Sequence, residues 1–585
     1  MGCKLFLFLS LCCATLRSTA QVIDVRDFGL QPNTFTDATE KVKKALEACK
    51  DKPGATLYFP EGRYDFWPEK AAVRTYFITN TSSETECPSK DKTMGILLEG
   101  MKDLTIEGNR SIFMFHGKMV NLAMDRCKNI RLQNVEMDAE RPGMSEMTLL
   151  TVSPEEVTAA VHPDSRFTIL HNKLYWYGEG WTLQHFHAVV ADTAKGIGKR
   201  THWEPFGKAG AELISPFRIK FKGKFDLKEW HPGEIVSVRD PIRDRVGIFI
   251  NRSAGISFAN VRIRYMHGLG VVSQFSEDLS FDSLQVAPAP GSGRSMACGA
   301  DGMQFSGCRG SISVTNSVFS GLHDDGINIH GTHLQVVEKV SPATLRIRFM
   351  HHQTYGFEAF FPGDSVALLN GPSLRIYRYG VLKAAKLLNE REMLVTFNEP
   401  LPANVKPGDC LENVTWTPSV VVRNNSFRQI ATRGLLVTTA RPVLVEQNTF
   451  YRMGMQAILI ANDATSWYES GPVKDVTIRR NVFTECGYNS MPDNHVISIS
   501  PENHKRVKGY KVHRNIRIEE NTFRIMDDAV LSARSTDNLV MKHNTIMKTN
   551  FLPVPQQAKP AFLLTDCTNV EILDAGTIQK KKFSK

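Results

Sequence analysis

The 585-residue sequence predicts an all-β chain wound as a parallel solenoid, and three observations predict it. Short apolar strands recur, each closed by Asn and then an aromatic or aliphatic residue. The spacing repeats, Asn425 to Asn448 being 23 residues and Asn521 to Asn544 again 23. Two nine-residue stretches, Gly299 to Gly307 and His323 to Gly331, are near copies at an offset of 24. Alternating apolar residues mark half-buried strands, and a fixed period marks stacked repeats. A β-sandwich with Asn turns has no reason to keep that period.

The chain begins as an export signal. Lys4 precedes an apolar run from Leu5 to Ala14, and Ser18 and Ala20 stand at the −3 and −1 places of a cleavage site before Gln21. The run is too short to span a membrane. Leu11 before Cys12 does not fit a lipoprotein signal, so ordinary export to the periplasm or outside is expected, without lipid anchoring. Losing residues 1–20 removes Lys4 and Arg17 and no acid, so the net charge falls from +10 to +8. Spread over this length, that gives no reason to propose nucleic acid binding. Eight cysteines remain without a CxxC pair, which speaks against zinc. Wide spacings leave disulfides and buried free thiols equally open.

Residues 21–144 form the entrance and first rungs. Val22 to Gly29 ends in Asp27-Phe28-Gly29. A helix follows to Cys49, with Asp37 as its cap, Glu40 completing a capping box, and Ala45, Leu46 and Cys49 on its apolar face. A short strand, Ala55 to Phe59, leads to the turn Pro60-Glu61-Gly62-Arg63-Tyr64. This order resembles the entrance of pectate-lyase-like right-handed parallel β-helices, where a helix caps the first rung and covers its open edge. The fold expected is therefore all-β, a right-handed parallel β-helix with an N-terminal capping helix. The Asn repeats continue at Asn134, Asn260, Asn316, Asn425, Asn448, Asn481, Asn521 and Asn544. Asn at a rung corner accepts left-handed backbone and can ladder with its copies.

Residues 145–245 and 333–415 lack the signature. Each carries Pro-Gly-acid turns: Pro232-Gly233-Glu234, Pro362-Gly363-Asp364 and Pro407-Gly408-Asp409. Both are expected to be small β-barrel inserts, leaving residues 246–332 as the central β-helix and 416–585 as the C-terminal rungs. Their junctions flank the duplicated stretch, so both can wall a pocket there. A closed pocket suits trimming of chain ends. The first insert holds Trp176, Tyr177, Trp181, Trp203 and Trp230, which suit insert core more often than sugar stacking. The second opens with His351, His352, Gln353, Tyr355, Phe357 and Glu358.

The duplicated stretch carries the chemistry. With one rung between the copies, Asp301 and Asp325 stack roughly 4.8 Å apart, and Asp324 adds a third carboxylate. Asp-Gly is also a common turn, but a third Asp at the matching place one rung back is not explained by turns. Crowded acids repel, so one stays protonated near neutrality while its neighbours share the charge. That supplies the acid and the base needed for glycoside hydrolysis. Gln304, Asn328, His330 and Glu358 are the candidate sugar ligands. His330 aligns with Ser306 and can equally bond along its rung, and Glu358 can be an ordinary surface acid.

Ala300-Asp301-Gly302 and Asp324-Asp325-Gly326-Ile327-Asn328-Ile329 resemble the catalytic motifs of polygalacturonases. That family's Gly-His-Gly is absent here, and the only Arg-x-Lys, Arg218-Ile219-Lys220, precedes the pair, which points away from uronic acids. The longer motifs Gly299-Ala300-Asp301-Gly302-Met303 and His323 to Gly331 resemble glycoside hydrolase family 110, across nearly the whole mature chain. These are secreted bacterial exo-α-1,3-galactosidases that act on, among others, the blood group B antigen, with inversion and no metal or cofactor. The resemblance implies Asp324 as general acid, with Asp301 and Asp325 as the base pair. It implies α-galactosyl-terminated glycans as partners, linear or branched. Stacked rungs are expected to bring Asp301 and Asp325 closer than the usual inverting separation, a departure that the resemblance to polygalacturonase sites suggests. A calcium-dependent β-helix lyase or hydrolase of uronate polymers, and a non-catalytic glycan-binding β-helix, remain the alternatives.

Overall fold

The computed structural model describes residues 21–573 and 578–580, apart from 185–186, 202–205, 490–494 and 554–558. Residues 1–20, where an export signal is expected, and Trp203 lie outside the described residues. Among those residues the chain is a parallel β-helix of long sheets, one of 22 strands and one of 13, with one α-helix.

The registers show why the copies stack. Met303–Ser306 pairs in parallel with Ile327–Thr332, joining Gln304 to Asn328 and Ser306 to His330. Inside the rungs, Phe319, Phe427, Phe450, Phe483 and Phe523 form one stack with ring centroids 4.7–5.1 Å apart. Beside it runs an Asn ladder. The amide and side chain of Asn425 donate to Asn448 Oδ1, those of Asn448 to Asn481, those of Asn481 to Asn521, and those of Asn521 to Asn544. Each buried amide is thereby satisfied by its copy on the next rung.

The left-handed corner is displaced by one residue from where the sequence suggests it. In this ladder the residue before each Asn takes positive φ: Asn424, Gln447, Arg480, Glu520 and His543. Asn134, Asn260 and Asn316 do sit in that region themselves, and they belong to an outer, more exposed ladder.

The entrance helix α1 (Thr39–Cys49) covers the first rung with Val42, Ala45, Leu46 and Cys49. Asp37 accepts from the Thr39 amide at 2.9 Å. Glu40 does not close a capping box; its carboxylate pairs with Lys44 one turn on, at 3.0 Å.

Both inserts are looped out between rungs that stack as if they were absent. Leu122 pairs with Ile248 across the first, and Ile327 with Leu435 across the second. The second insert is a closed six-stranded barrel. The first differs from the barrel expected. Among the described residues it is a seven-stranded antiparallel sheet, open between edges Ile197–Arg200 and Gly210–Ser215, beside a three-stranded sheet. One open edge is covered by the β-helix itself: the Gly198 amide and carbonyl both bond to the Tyr488 hydroxyl, so closure against Gly210–Ser215 is unnecessary. Trp176 and Trp230 fill this insert's core. Tyr355 and Phe357 fill that of the second. The eight described cysteines are all unpaired.

Candidate active site

Asp301 precedes the strand Met303–Ser306, and Asp324 and Asp325 precede its copy one rung on. The backbone holds them together: the Gly302 amide donates to Asp325 O at 2.8 Å. One oxygen from each of the three carboxylates lies within 4.8 Å of the others. Asp301 is 6% exposed and Asp325 1%, whereas the Asp324 side chain keeps 25%.

The rung above answers with a cation. The pairing of Ile327 with Leu435 places Arg433 at the position equivalent to Asp325, and its Nε donates to Asp325 Oδ1 at 2.8 Å. Arg433 also lies 4.0 Å from Asp324, and Arg200 of the first insert lies 3.4 Å from it. Arg239 and Arg243, at the end of that insert, complete a positive arc around Asp324. Burial pushes all three acids up. At Asp324 the four guanidinium groups outweigh it and hold the carboxyl below its usual range. At Asp301, burial and the charges of Asp324 and Asp325 carry it well above. Asp325 is raised by burial and by Asp324, against the pull of Arg433. These opposing forces favour the proton on Asp301 over Asp324, the acid that the resemblance implies. His323, behind the pair, is held well below the usual imidazole range by burial and by Arg239.

The three acids are also the one group of carboxylates among the described residues that could surround a cation. Their charge is already answered by the arginines.

The acids floor a cavity of about 120 Å³, with Asn80, Asn328, Leu436, Leu459, Trp467, Glu469, Asp463 and Glu502 among its walls. Trp467 is half-exposed and stacks on His351 of the second insert, with centroids 4.3 Å apart. Its loop is held by Asp463, which accepts amides from Thr465, Ser466 and Tyr468 at 2.7–3.0 Å. The second insert thus shapes the cavity indirectly, and the first reaches it through Arg200 and Arg243.

Of the candidate sugar ligands, Asn328 lines the cavity, and its Oδ1 has no protein partner. Gln304 and His330 sit beneath, bonded to each other at 2.9 Å. His330 Nδ1 meets the Gly331 carbonyl, so that nitrogen bears the proton and Nε2 accepts from Gln304. Both shape the floor rather than the wall. Glu358 lies elsewhere, paired with Arg252 at 2.7 Å beside a separate depression.

Arg433 was legible. Thr432-Arg433-Gly434-Leu435-Leu436-Val437 repeats the Asp324 to Ile329 pattern with Arg in place of the second Asp. Trp467, Asp463, Glu502 and Asn80 come from loops outside the repeat, and Glu469 from the short strand Glu469–Ser470 paired antiparallel with Gly331 and Thr332; none leaves such a trace.

Two family models match: "Right handed beta helix region" over residues 410–575 and "GLAA-B beta-barrel domain II" over residues 344–411. The chain is 41% identical to "Alpha-1,3-galactosidase A" of Bacteroides fragilis, over 98% of this chain and 94% of that one. It is 35% identical to "Alpha-1,3-galactosidase B" of Bacteroides thetaiotaomicron, over 96% and 92%. With "Alpha-1,3-galactosidase A" of Akkermansia muciniphila the identity is 37%, over 86% and 82%.

Proposed function

Because this chain belongs to the α-1,3-galactosidase family of glycoside hydrolases, we propose that it removes terminal α-1,3-linked galactose from exported-compartment glycans, with inversion at the anomeric carbon. The observation that carries the reading is the three-carboxylate floor of a walled cavity. Substrates in this reading are blood group B-type and linear α-1,3-galactosides, and the export signal expected in residues 1–20 delivers the chain to them.

Roles follow from exposure and partners. Asp324, the carboxyl nearest the open cavity, donates its proton to the leaving glycosidic oxygen. Asp325, fixed by Arg433, and Asp301 hold the attacking water and take its proton. The proton reaches Asp324 from Asp301, so the reactive form is a minority of the singly protonated cluster. Trp467 offers a stacking face to the sugar, and Asn328 forms part of the cavity wall beside the acids. A neutral sugar suits the walls better than a uronate does. Six carboxylates line the cavity, Asp301, Asp324, Asp325, Asp463, Glu469 and Glu502, against the guanidiniums of Arg243 and Arg433.

One observation favours a second reading. The carboxylates approach within 4.8 Å, whereas inverting pairs commonly stand roughly 6.5–9.5 Å apart and retaining pairs about 5–5.5 Å. Against retention, the Asp325 oxygen that faces Arg433 is engaged and is a poor nucleophile. Proton NMR of hydrolysis decides. β-Galactose as the first product from α-1,3-galactobiose supports inversion; α-galactose supports retention. Running the blood group B trisaccharide beside it tests linkage breadth. On an aryl galactoside with a good leaving group, Asp324→Asn should keep far more of its activity than Asp301→Asn or Asp325→Asn. The reverse order would move the acid to Asp301.

A further inference from the structure

The face of the β-helix that bears the acids does not stop at them. Phe249, Val272, Gln304, Asn328, Leu436 and Leu459 are successive register partners along one row of the sheet. The far end of the row lines the acid cavity through Asn328, Leu436 and Leu459. The near end, Phe249, lines a second depression of about 290 Å³. Between them Val272 and Gln304 are fully buried. What crosses there is the segment 76–81, which leaves the strand Ala72–Thr75 and runs over the sheet.

The crossing is fastened on every side. Ile78 is buried in one apolar cluster with Phe249, Val272 and Ala300. Gln274 accepts from the Thr79 amide at 3.0 Å and donates to the Phe77 carbonyl at 3.2 Å. Thr354 of the second insert reaches the Thr79 hydroxyl and Asn80 Oδ1. Asn80 Nδ2 bonds Glu469 at 2.9 Å, tying the segment to the opposite wall. Asn80 takes positive φ, a turn that Asn accepts readily and that aims its side chain at the cavity.

We propose that the segment 76–81 is a cross-strap that divides a through-running trough on the β-helix face, closing the acid cavity at the non-reducing end and so confining cleavage to terminal galactose. This rests on the galactosidase reading and gives it a structural cause for exo action. In an α-1,3-linked chain the next sugar would leave the reacting galactose from its 3-hydroxyl, so that hydroxyl faces the strap.

The test uses α-1,3-galactobiose and its analogue methylated at the non-reducing 3-hydroxyl, and reads kcat/KM for the methylated sugar divided by kcat/KM for the free one. The full chain should refuse the methylated sugar while cutting the free one. Gln274→Ala and the pair Ile78→Ala with Thr354→Val loosen the strap without touching the acids. Each should raise the ratio by about tenfold or more. Folded variants with an unchanged ratio overturn the proposal. If the variants do not fold, the wild-type chain still decides, since ready cleavage of the methylated sugar overturns it alone. Failure of the wild type on both sugars is a different result: it sinks the galactosidase reading, and the strap's role with it.

Discussion

Arg433→Met removes the charge that the rung above sets against the acid pair while keeping the apolar stem. Arg433 Nε lies 2.8 Å from Asp325 and its guanidinium 4.0 Å from Asp324. Taking one partner from a buried ion pair costs about 3–5 kcal/mol, because the other charge is left uncompensated. If that loss falls on the transition state, kcat/KM drops by about 10²–10⁴. The sign of the pH effect follows. Without the cation, Asp325 and Asp324 both hold protons more tightly. In the proposed roles Asp325 must be ionised to take a proton from water, so the acid limb of kcat/KM moves to higher pH. Asp324 must be protonated to donate, so the alkaline limb moves up as well. The assay is kcat/KM for α-1,3-galactobiose across pH, with Arg433→Lys as the charge-keeping control and thermal melting as the check on folding. A folded Arg433→Met within a few-fold of wild type, with both limbs in place, would refute the electrostatic account of the cluster.

Other outcomes are expected. Asn481→Ala strands the Asn448 amide and the Val445 carbonyl, each worth about 1–3 kcal/mol, and should lower the melting temperature clearly, while Asn260→Gly in the exposed ladder, which keeps that left-handed corner unstrained, should barely move it. Glu412, 1% exposed with both oxygens unpartnered, is pushed by burial up to about 7. Its folded value exceeds its unfolded one, so its contribution is complete below about pH 4.3 and lost as pH rises to about 7. Glu412→Gln should therefore gain melting temperature relative to wild type over that window, and a constant difference would count against the argument. Glu502 is raised to about 7 by burial and by Asp463, and above that pH a second charge sits beside the carboxylate that holds the Trp467 loop. His504 lies 3.9 Å from it, and Arg534 opposes the shift. Glu502→Gln should keep KM flat from pH 6 to 8 where the wild-type KM rises, with kcat little changed.

Legibility follows distance along the chain. A solenoid turns neighbours in space into neighbours one period apart, so the stacking of Asp301 on Asp325 could be read from an offset of 24, and the Asn ladder from 23. Arg433 obeys the same rule at an offset of 108 from Asp325, once the second insert is removed. The cavity walls do not. Asn80 meets Glu469 across 389 residues and Arg200 meets Asp324 across 124, contacts set by how loops close over the rungs. The tryptophans of the first insert were visible but uninformative, because an insert needs a core: Trp176 and Trp230 fill it, while the aromatic at the cavity is Trp467. The capping box failed for a local reason. Glu40 had a better partner in Lys44 one turn along.

The placement of the proton sets the last constraint. Exposure makes Asp324 the carboxyl that a glycosidic oxygen can reach, yet four arginines make it the one least inclined to hold a proton. Asp301 has the opposite character, buried and strongly proton-holding, with Asp324 and Asp325 both raising its affinity. An acid held below its usual range is a stronger donor when it does carry the proton, which offsets the small population that carries it. The cost appears in the pH profile rather than in the maximal step. Neutralising Asp301 should therefore do more than remove a water ligand. In Asp301→Asn the shared proton loses its resting place, and the alkaline limb of kcat/KM should fall to lower pH. A limb that stays put would mean that Asp324 draws its proton from elsewhere, and that the two carboxyls are coupled by proximity alone.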